Sequence, residues 1–284
     1  MTNAMERLAE EMGVDIQCGQ LVTQITPDGV HVQPTNQSVA STEFLPADLV
    51  IVNADLPYAT QSLLQPKTIV ENTSPPEPIF DWDDQFTFSS GVISFHWSLN
   101  KTLDDLNTHN VFLMASSRSQ AEATWETMRT NQGDVTPQSA FNFYVHRASR
   151  TDPTAAPQGC DTLMILVPCR TLLRDEECAK LPREEALRRY QSQFTPKVVA
   201  QARQAVLQRL SVLDSMEGLD KHIVDEVVDT PATWAEQFHL AAGTPFALVG
   251  AVVARLVCRC SCCCKLLSRL FIFTFAHRAT GFSN

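Results

Sequence analysis

Residues 140–169 constrain the fold more than any other part of the sequence, because they hold two strand-like runs joined by a proline-containing connection. In the first run, Phe141, Phe143 and Val145 alternate with small or polar residues and would share one face of a pleated strand. The second run, residues 163–167, is continuously apolar and indicates a strand buried on both faces. The sequence therefore predicts a β-hairpin.

The connection of this hairpin is charged and stiff. Arg147, Arg150 and Asp152 lie beside Pro153 and Pro157, which fix the backbone and exclude a helix there. A segment of this kind is either a salt-bridged surface turn or a rigid support for a binding surface. The residues alone leave both interpretations open.

The run FYVHRASRTDPTAAPQGCDTLMILVP, residues 143–168, resembles a signature of the bacterial and fungal phytoene desaturases. These are flavin-dependent carotenoid desaturases of the amine-oxidase-like superfamily. The chain has Ala148 where the family usually has proline, and Thr154 where it usually has serine. The similarity is long and ungapped, which makes it more specific than a short motif.

The N-terminal third indicates a helix that ends at Gly13, strands on both sides of a tight turn at Asp28 and Gly29, and a strong strand at residues 47–53. Four successive apolar residues in that last segment predict burial on both faces. The resemblance places these elements inside the FAD-binding domain of the family. It implies cofactor-binding positions at four residues, Val22, Asn53, Ala54 and Asp55. Without the family, Asn53 and Asp55 are typical of turns at strand ends.

Residues 90–99 alternate between apolar and polar side chains, which indicates a half-buried strand. His96 and His109 have no second ligand at metal-binding spacing, so we predict no metal site. Residues 182–213 form the clearest helical region. The predicted sheet would line a cavity for a long hydrocarbon with its apolar face.

Together these patterns and the resemblance lead us to expect an α/β and α+β architecture. It would combine an incomplete FAD-binding Rossmann-like domain of the glutathione-reductase type with a mixed-sheet substrate domain that carries helices. The expected divisions are an internal part of the FAD-binding domain (1–58), the carotenoid domain (59–222), a return to the FAD-binding domain (223–250) and a divergent tail (251–284).

The tail differs from the rest of the chain in charge and cysteine content. Residues 251–284 hold five basic residues and no acidic one, and five of the nine cysteines fall within residues 258–264. Adjacent thiols do not converge easily on one metal, so this is not a zinc motif. The tail is either a membrane-surface anchor or a segment foreign to the family, such as a mistranslated intron. The net charge of −10 argues against a nucleic-acid partner.

The resemblance implies an oxidoreductase that uses FAD to introduce double bonds into a C40 polyene at a membrane surface. We expect Arg147, Arg150 and Asp152 to be the ionisable residues nearest the reacting region or the seam between the domains. Neither glycine-rich flavin segment of the family occurs in the sequence, so we expect a truncated or inactive chain. A carotene isomerase and a non-catalytic remnant that binds an apolar ligand or a membrane are the alternatives.

No targeting signal is visible, and the expected location is membrane-associated, in a plastid if the source is an alga and otherwise on the cytoplasmic face. The sequence does not indicate an oligomeric state.

Overall fold

A computed structural model describes residues 2–35, 41–64, 88–113, 115–129, 142–171, 181, 185, 188–189 and 191–245. The chain divides into two compact units, one built mainly from Met1–Asp84 and the other from Gln85–Val253. The predicted linker at residues 71–80 and the tail at 251–284 lie outside the described residues.

The smaller unit begins with helix α1, Thr2–Glu11, which buries none of its residues. It ends before Gly13, whose φ of 86° suits glycine, so the predicted helix and its stop are confirmed. Three antiparallel strands follow in the order β1-β2-β3: Gln20–Thr26, Gly29–Pro34 and Glu43–Pro46. A two-residue turn, Pro27 and Asp28, joins β1 to β2, and Thr26 pairs with Gly29, so the predicted tight turn is present but begins one residue earlier.

The predicted strand at residues 47–53 is wrong, because the structure assigns no strand there. Val50 is buried while its neighbour Leu49 is 44% exposed, so the run is not buried on both faces. Val50 instead joins a small core with Ile25, Ala59 and Leu63. Helix α2, Leu56–Tyr58, follows and continues into the π-helical turn Ala59–Leu63.

The larger unit is organised around a five-stranded sheet with the order β5-β6-β7-β4-β8. Its strands are β4 (Gly91–Leu99), β5 (His109–Phe112), β6 (Phe143–Arg147), β7 (Asp161–Cys169) and β8 (Ile223–Asp229). Every strand pair that the described residues form is antiparallel, which corrects the expected mixed sheet. The expected parallel, Rossmann-like arrangement is not present among these pairs.

The predicted hairpin is confirmed, since β6 pairs antiparallel with β7 and Tyr144 lies opposite Leu166. Phe143 and Val145 are buried on the same face as predicted, and Phe141 lies outside the described residues. Burial alternates along β7, so its apolar run is buried on one face and half-buried on the other. The predicted strand at 90–99 corresponds to β4, the centre of the sheet together with β7.

Three further α-helices have described bounds in the larger unit. They are α3 (Arg118–Arg129), α4 (Pro196–Leu210) and α5 (Pro231–Phe238). The side chain of Thr195 caps α4 and Pro196 occupies its first turn, which is the usual arrangement at a helix start. Helix α4 confirms the C-terminal part of the predicted helical region, whereas most of residues 182–190 lie outside the described residues.

One face of the five-stranded sheet forms the core of this unit. Phe95, Trp97 and Ile165 are at most 1% exposed there, and they share one cluster with Ala202 and Val206 of α4. This inner face is therefore filled by packed side chains. That finding corrects the expectation that the apolar face of the sheet lines a cavity.

Strand β8 pairs with β4 at the edge of the same sheet. Residues 223–229 therefore belong to the larger unit. None of the described helices is long and apolar enough to cross a membrane.

Candidate functional site

The connection between β6 and β7, residues 148–160, is called the bend from here on. It contains two 3₁₀ turns, Ala148–Arg150 and Pro153–Ala155. Asp152 separates them and caps the second turn, accepting hydrogen bonds from the Thr154 amide at 2.9 Å and from the Thr154 hydroxyl at 2.6 Å. Proline at the first position of that turn fixes φ and needs no amide partner. The bend is thus an ordered segment with its own hydrogen bonds.

A buried ion pair lies where the bend meets the sheet. Arg147 ends β6, Asp161 begins β7, and the two side chains are 6% and 2% exposed. Arg147 Nε lies 2.9 Å from Asp161 Oδ2, although its N–H does not point along that line. The remaining contacts of both groups go to neighbouring chain segments.

These contacts tie the ion pair to residues 103–108, which connect β4 to β5. Asp161 accepts from the Leu103 amide at 2.7 Å and from the Ser149 hydroxyl. Arg147 Nη1 donates to the Leu103 carbonyl and, at 3.1 Å, to the Leu106 carbonyl. The pair therefore forms hydrogen bonds with both the amide and the carbonyl of Leu103.

The structure separates the three ionisable residues predicted for the reacting region. Arg147 is buried and pairs with Asp161, whereas Arg150 and Asp152 are exposed on the bend. The two hydrogen bonds from Thr154, of which the hydroxyl bond has the larger effect, lower the pKa of Asp152 below its ordinary value. Asp152 is therefore a carboxylate at neutral pH.

The four residues predicted to bind the cofactor lie on or near the small core of the first unit. Val22 on β1 and Ala54 are partly buried and pack against this core, while Asn53 is exposed. Asp55 caps α2, accepting from the Tyr58 amide at 3.0 Å.

A dinucleotide pyrophosphate needs bare amides at a glycine-rich turn that opens a helix. In the described part of the chain, the side chain of Asp55 already accepts the hydrogen bond of the Tyr58 amide at the start of α2. Pro57, which has no amide hydrogen, lies in the same turn. These residues do not fit FAD as a complete site.

The face of the sheet opposite α4, here called the outer face, carries a different set of side chains. Met164 and Leu166 of β7 lie along its middle and are half-buried. Their neighbours on this face are Tyr144 and His146 of β6 and His96 of β4. This arrangement gives the outer face an apolar strip one strand wide, in which Met164 lies between His146 and His96 while Leu166 lies between Tyr144 and Ser94.

The imidazoles make specific contacts. His109 Nδ1 lies 2.6 Å from the Tyr144 hydroxyl, and the His109 ring stacks on His146 with centroids 5.1 Å apart. His96 Nε2 lies 3.2 Å from Ser94 Oγ and 3.6 Å from Asp229 Oδ2. A hydrolytic triad needs the serine and the carboxylate on opposite nitrogens of the histidine, so these three residues do not form one. The described residues contain no cluster of three or more potential metal ligands.

Asp161 was missed by sequence reasoning, although a signal for it was present. Residues 161, 163, 165, 167 and 169 alternate and all face the core, so Asp161 is a charge at an inward position. A buried charge requires a partner. Arg147 occupies the equivalent inward position at the end of β6, and the two together predict the pair.

The chain is similar to curated proteins that are named as carotenoid desaturases, while no protein family model matches it. The phytoene desaturase of Phycomyces blakesleeanus is 33% identical over 226 residues, which cover 78% of this chain and 33% of that protein. The phytoene desaturase of Neurospora crassa is 31% identical over 245 residues, which cover 85% and 37%. The all-trans-zeta-carotene desaturase of Myxococcus xanthus is 27% identical over 248 residues, which cover 87% and 41%. The chain thus spans about two fifths or less of the length of these relatives.

Proposed function

Because this chain belongs to the carotenoid desaturase family, we propose that it acts on a carotenoid polyene and holds that polyene on the outer face of the five-stranded sheet. The observation that carries the proposal is the apolar strip of Met164 and Leu166 on β7. A polyene has no polar groups to recognise, so it is bound by the shape and length of an apolar surface. Met164 and Leu166 together span about 7 Å of the strand, so the strip contacts one segment of such a chain.

The neighbours of the strip support the same assignment. Tyr144, His96 and His146 are flat or polar-edged side chains that limit the strip to a single strand's width. A linear hydrocarbon fits this width, whereas a broad, fused-ring ligand would cover the imidazoles and leave them without solvent. Selectivity in this arrangement depends on the length and straightness of the bound chain.

The bend lies at the end of the sheet where β6 finishes and β7 begins. We assign Arg150 and Asp152, which are exposed there, to the region nearest the reacting bonds, and Arg147 beneath them to the same region. Val22, Asn53, Ala54 and Asp55 are the positions proposed to face a flavin nucleotide. Oxidation of the polyene would be the chemistry of that group, and the described residues provide the surface that orients the polyene.

The described residues lack a pyrophosphate cradle, and this favours a second candidate function. The chain would then bind a polyene without oxidising it. Both functions need the outer face, and they differ only in the fate of the ligand.

A binding experiment tests the proposal and separates the two functions. The purified chain is mixed with phytoene or lycopene in detergent micelles, with and without added FAD, and retained pigment is measured by gel filtration and chromatography. A more desaturated product with FAD supports a desaturase, an isomerised product supports an isomerase, and unchanged retained pigment supports the binding function. A folded chain that retains no polyene would overturn the proposal.

A test variant and a matched control variant examine whether the polyene binds to the outer face. Met164→Gln together with Leu166→Gln is expected to reduce polyene retention about tenfold, because two apolar contacts on one strip are lost. Val212→Gln, which changes a side chain that is 61% exposed beyond α4, is expected to leave retention unchanged. Equal polyene retention by the unsubstituted chain and by both variants would show that the polyene does not bind to the outer face.

A further inference from the structure

We propose that Arg147 and Asp161 form a positioning pair, which fixes the bend and residues 103–108 to one end of the sheet and thereby places Arg150 and Asp152. Arg147 then acts through the residues it holds and is not itself in contact with a ligand. The use of Arg150 and Asp152 for a polyene rests on the proposed function, whereas the positioning itself does not.

Arg147 and Asp161 are both buried. Side chains of Arg147 and Asp161 are 6% and 2% exposed, so neither has a surface on which to meet a ligand. Removing two charges from water is costly, and a core of apolar residues in their place is often as stable. A buried pair at this position is therefore better explained by the geometry it imposes than by the stability it adds.

The hydrogen bonds of Arg147 and Asp161 reach two other segments of the chain. Four contacts of the pair reach the chain outside the two strands: the Leu103 amide and carbonyl, the Leu106 carbonyl and the Ser149 hydroxyl. Three of these are backbone groups in the β4–β5 connection, and the fourth belongs to the first turn of the bend. One ion pair thus joins two connections that are distant in sequence.

The β4–β5 connection and the bend also contact each other at the surface. The Arg147 amide donates to the Thr108 carbonyl at 2.9 Å, and the Thr108 and Thr151 hydroxyls lie 2.6 Å apart. Thr151 stands between Arg150 and Asp152 in the sequence. The segment that carries both exposed groups is therefore held from below by the ion pair and from the side by Thr108.

Native-state proteolysis tests the positioning without any ligand. Asp161→Asn keeps the size of the side chain and an oxygen for the Leu103 amide, but it removes the charge opposite Arg147. We expect trypsin to cleave after Arg150 at least tenfold faster in this variant, while cleavage after Arg203 within α4 changes less than twofold. Asp225→Asn, which removes an exposed carboxylate on β8, is the control and should change neither rate.

A parallel increase in cleavage after Arg150 and Arg203 would overturn the proposal, because it would show that the pair only stabilises the whole unit. No increase at either site would overturn it as well. Ser149→Ala removes a single contact, so it should fold if Asp161→Asn does not, and it is expected to accelerate cleavage after Arg150 by two- to fivefold. Failure of the polyene-binding experiment would leave these rates unaffected, so the two proposals fail separately.

Discussion

The indole nitrogen of Trp97 donates its hydrogen to the carboxylate of Glu226, the residue directly opposite it on the neighbouring strand. Arg203 of α4 donates to the same carboxylate oxygen at 2.7 Å, and its guanidinium lies 5.6 Å from the centre of the indole ring. Trp97 is only 1% exposed. One glutamate at the edge of the sheet therefore satisfies a buried donor and joins the edge strand to the helix that covers the core.

Glu226→Ala should destabilise the larger unit by about 1–3 kcal/mol, because it leaves the buried indole N–H without its acceptor. Urea unfolding followed by tryptophan fluorescence measures the change. Glu122→Ala is the matched control, since it breaks an exposed pair with Arg118 whose side chains are 92% and 63% exposed. That change should cost no more than about 0.5 kcal/mol. Equal losses in the two variants would contradict the role assigned to Glu226.

Thr154→Val should raise the pKa of Asp152 towards the ordinary aspartate value, because the valine cannot donate the hydroxyl hydrogen bond that contributes most to lowering it. A carboxyl whose pKa is lowered in the folded state adds stability at pH values above its ordinary pKa. This stability is lost as the pH falls through the lowered, folded-state pKa. Carbon-13 NMR titration of the Asp152 carboxyl measures the midpoint.

Thr151→Val is the control for this titration, since the Thr151 hydroxyl pairs with Thr108 and not with Asp152. It should leave the Asp152 midpoint where it is. A midpoint that responds equally to both substitutions would show that the Thr154 bonds are not the cause of the shift.

Cys169 should resist alkylation in the folded chain. Its thiol is fully buried at the end of β7, and desolvation raises its pKa far above the ordinary cysteine value. Iodoacetamide labelling followed by peptide mass spectrometry should find Cys169 modified on the order of 100-fold more slowly than the exposed Cys18, because labelling must wait for local opening. In concentrated urea the two rates should converge, and a difference that persists there would contradict burial as the cause.

Gly91→Ala should destabilise the larger unit by about 1–3 kcal/mol, because an added Cβ would lie 2.4 Å from the Arg170 carbonyl oxygen and 3.0 Å from Pro231 Cγ. Gly159→Ala is the comparison. Its Cβ would meet nothing within 4 Å, and only the positive φ of 79° would cost about 1 kcal/mol. Thermal unfolding distinguishes the two, and a larger loss for Gly159→Ala would contradict the close packing at the start of β4.

The hairpin of β6 and β7, strand β4 and helix α4 are all predictable from the sequence. In each, the spacing of the apolar residues specifies its type and its inward side, and β4 is in addition buried on both faces over its first five residues. The segment at residues 47–53 shows the limit of this reasoning. An apolar run indicates burial, but a strand also needs a neighbour for its backbone hydrogen bonds, and the described structure provides none for Val50.

The candidate site was predictable only in part, for a related reason. The charged, proline-bounded bend is visible in the sequence. The partner of Arg147 is not, because Asp161 lies outside the bend and comes close only through the pairing of β6 with β7. The contacts with Leu103 and Leu106 depend on the order of strands in the sheet, which local patterns do not specify.

The order of strands also has a consequence for how the chain is made. Strand β4 pairs with β7 on one side and with β8 on the other. Leu99 therefore lacks both of its pairing partners until Asp161 and Ile223 have been synthesised. Until then, Phe95 and Trp97 on a nascent polypeptide have no sheet to enter. A ribosome that has just released β4 therefore exposes an apolar strand before either of its neighbours has been synthesised, and chaperone binding to this strand is expected during translation.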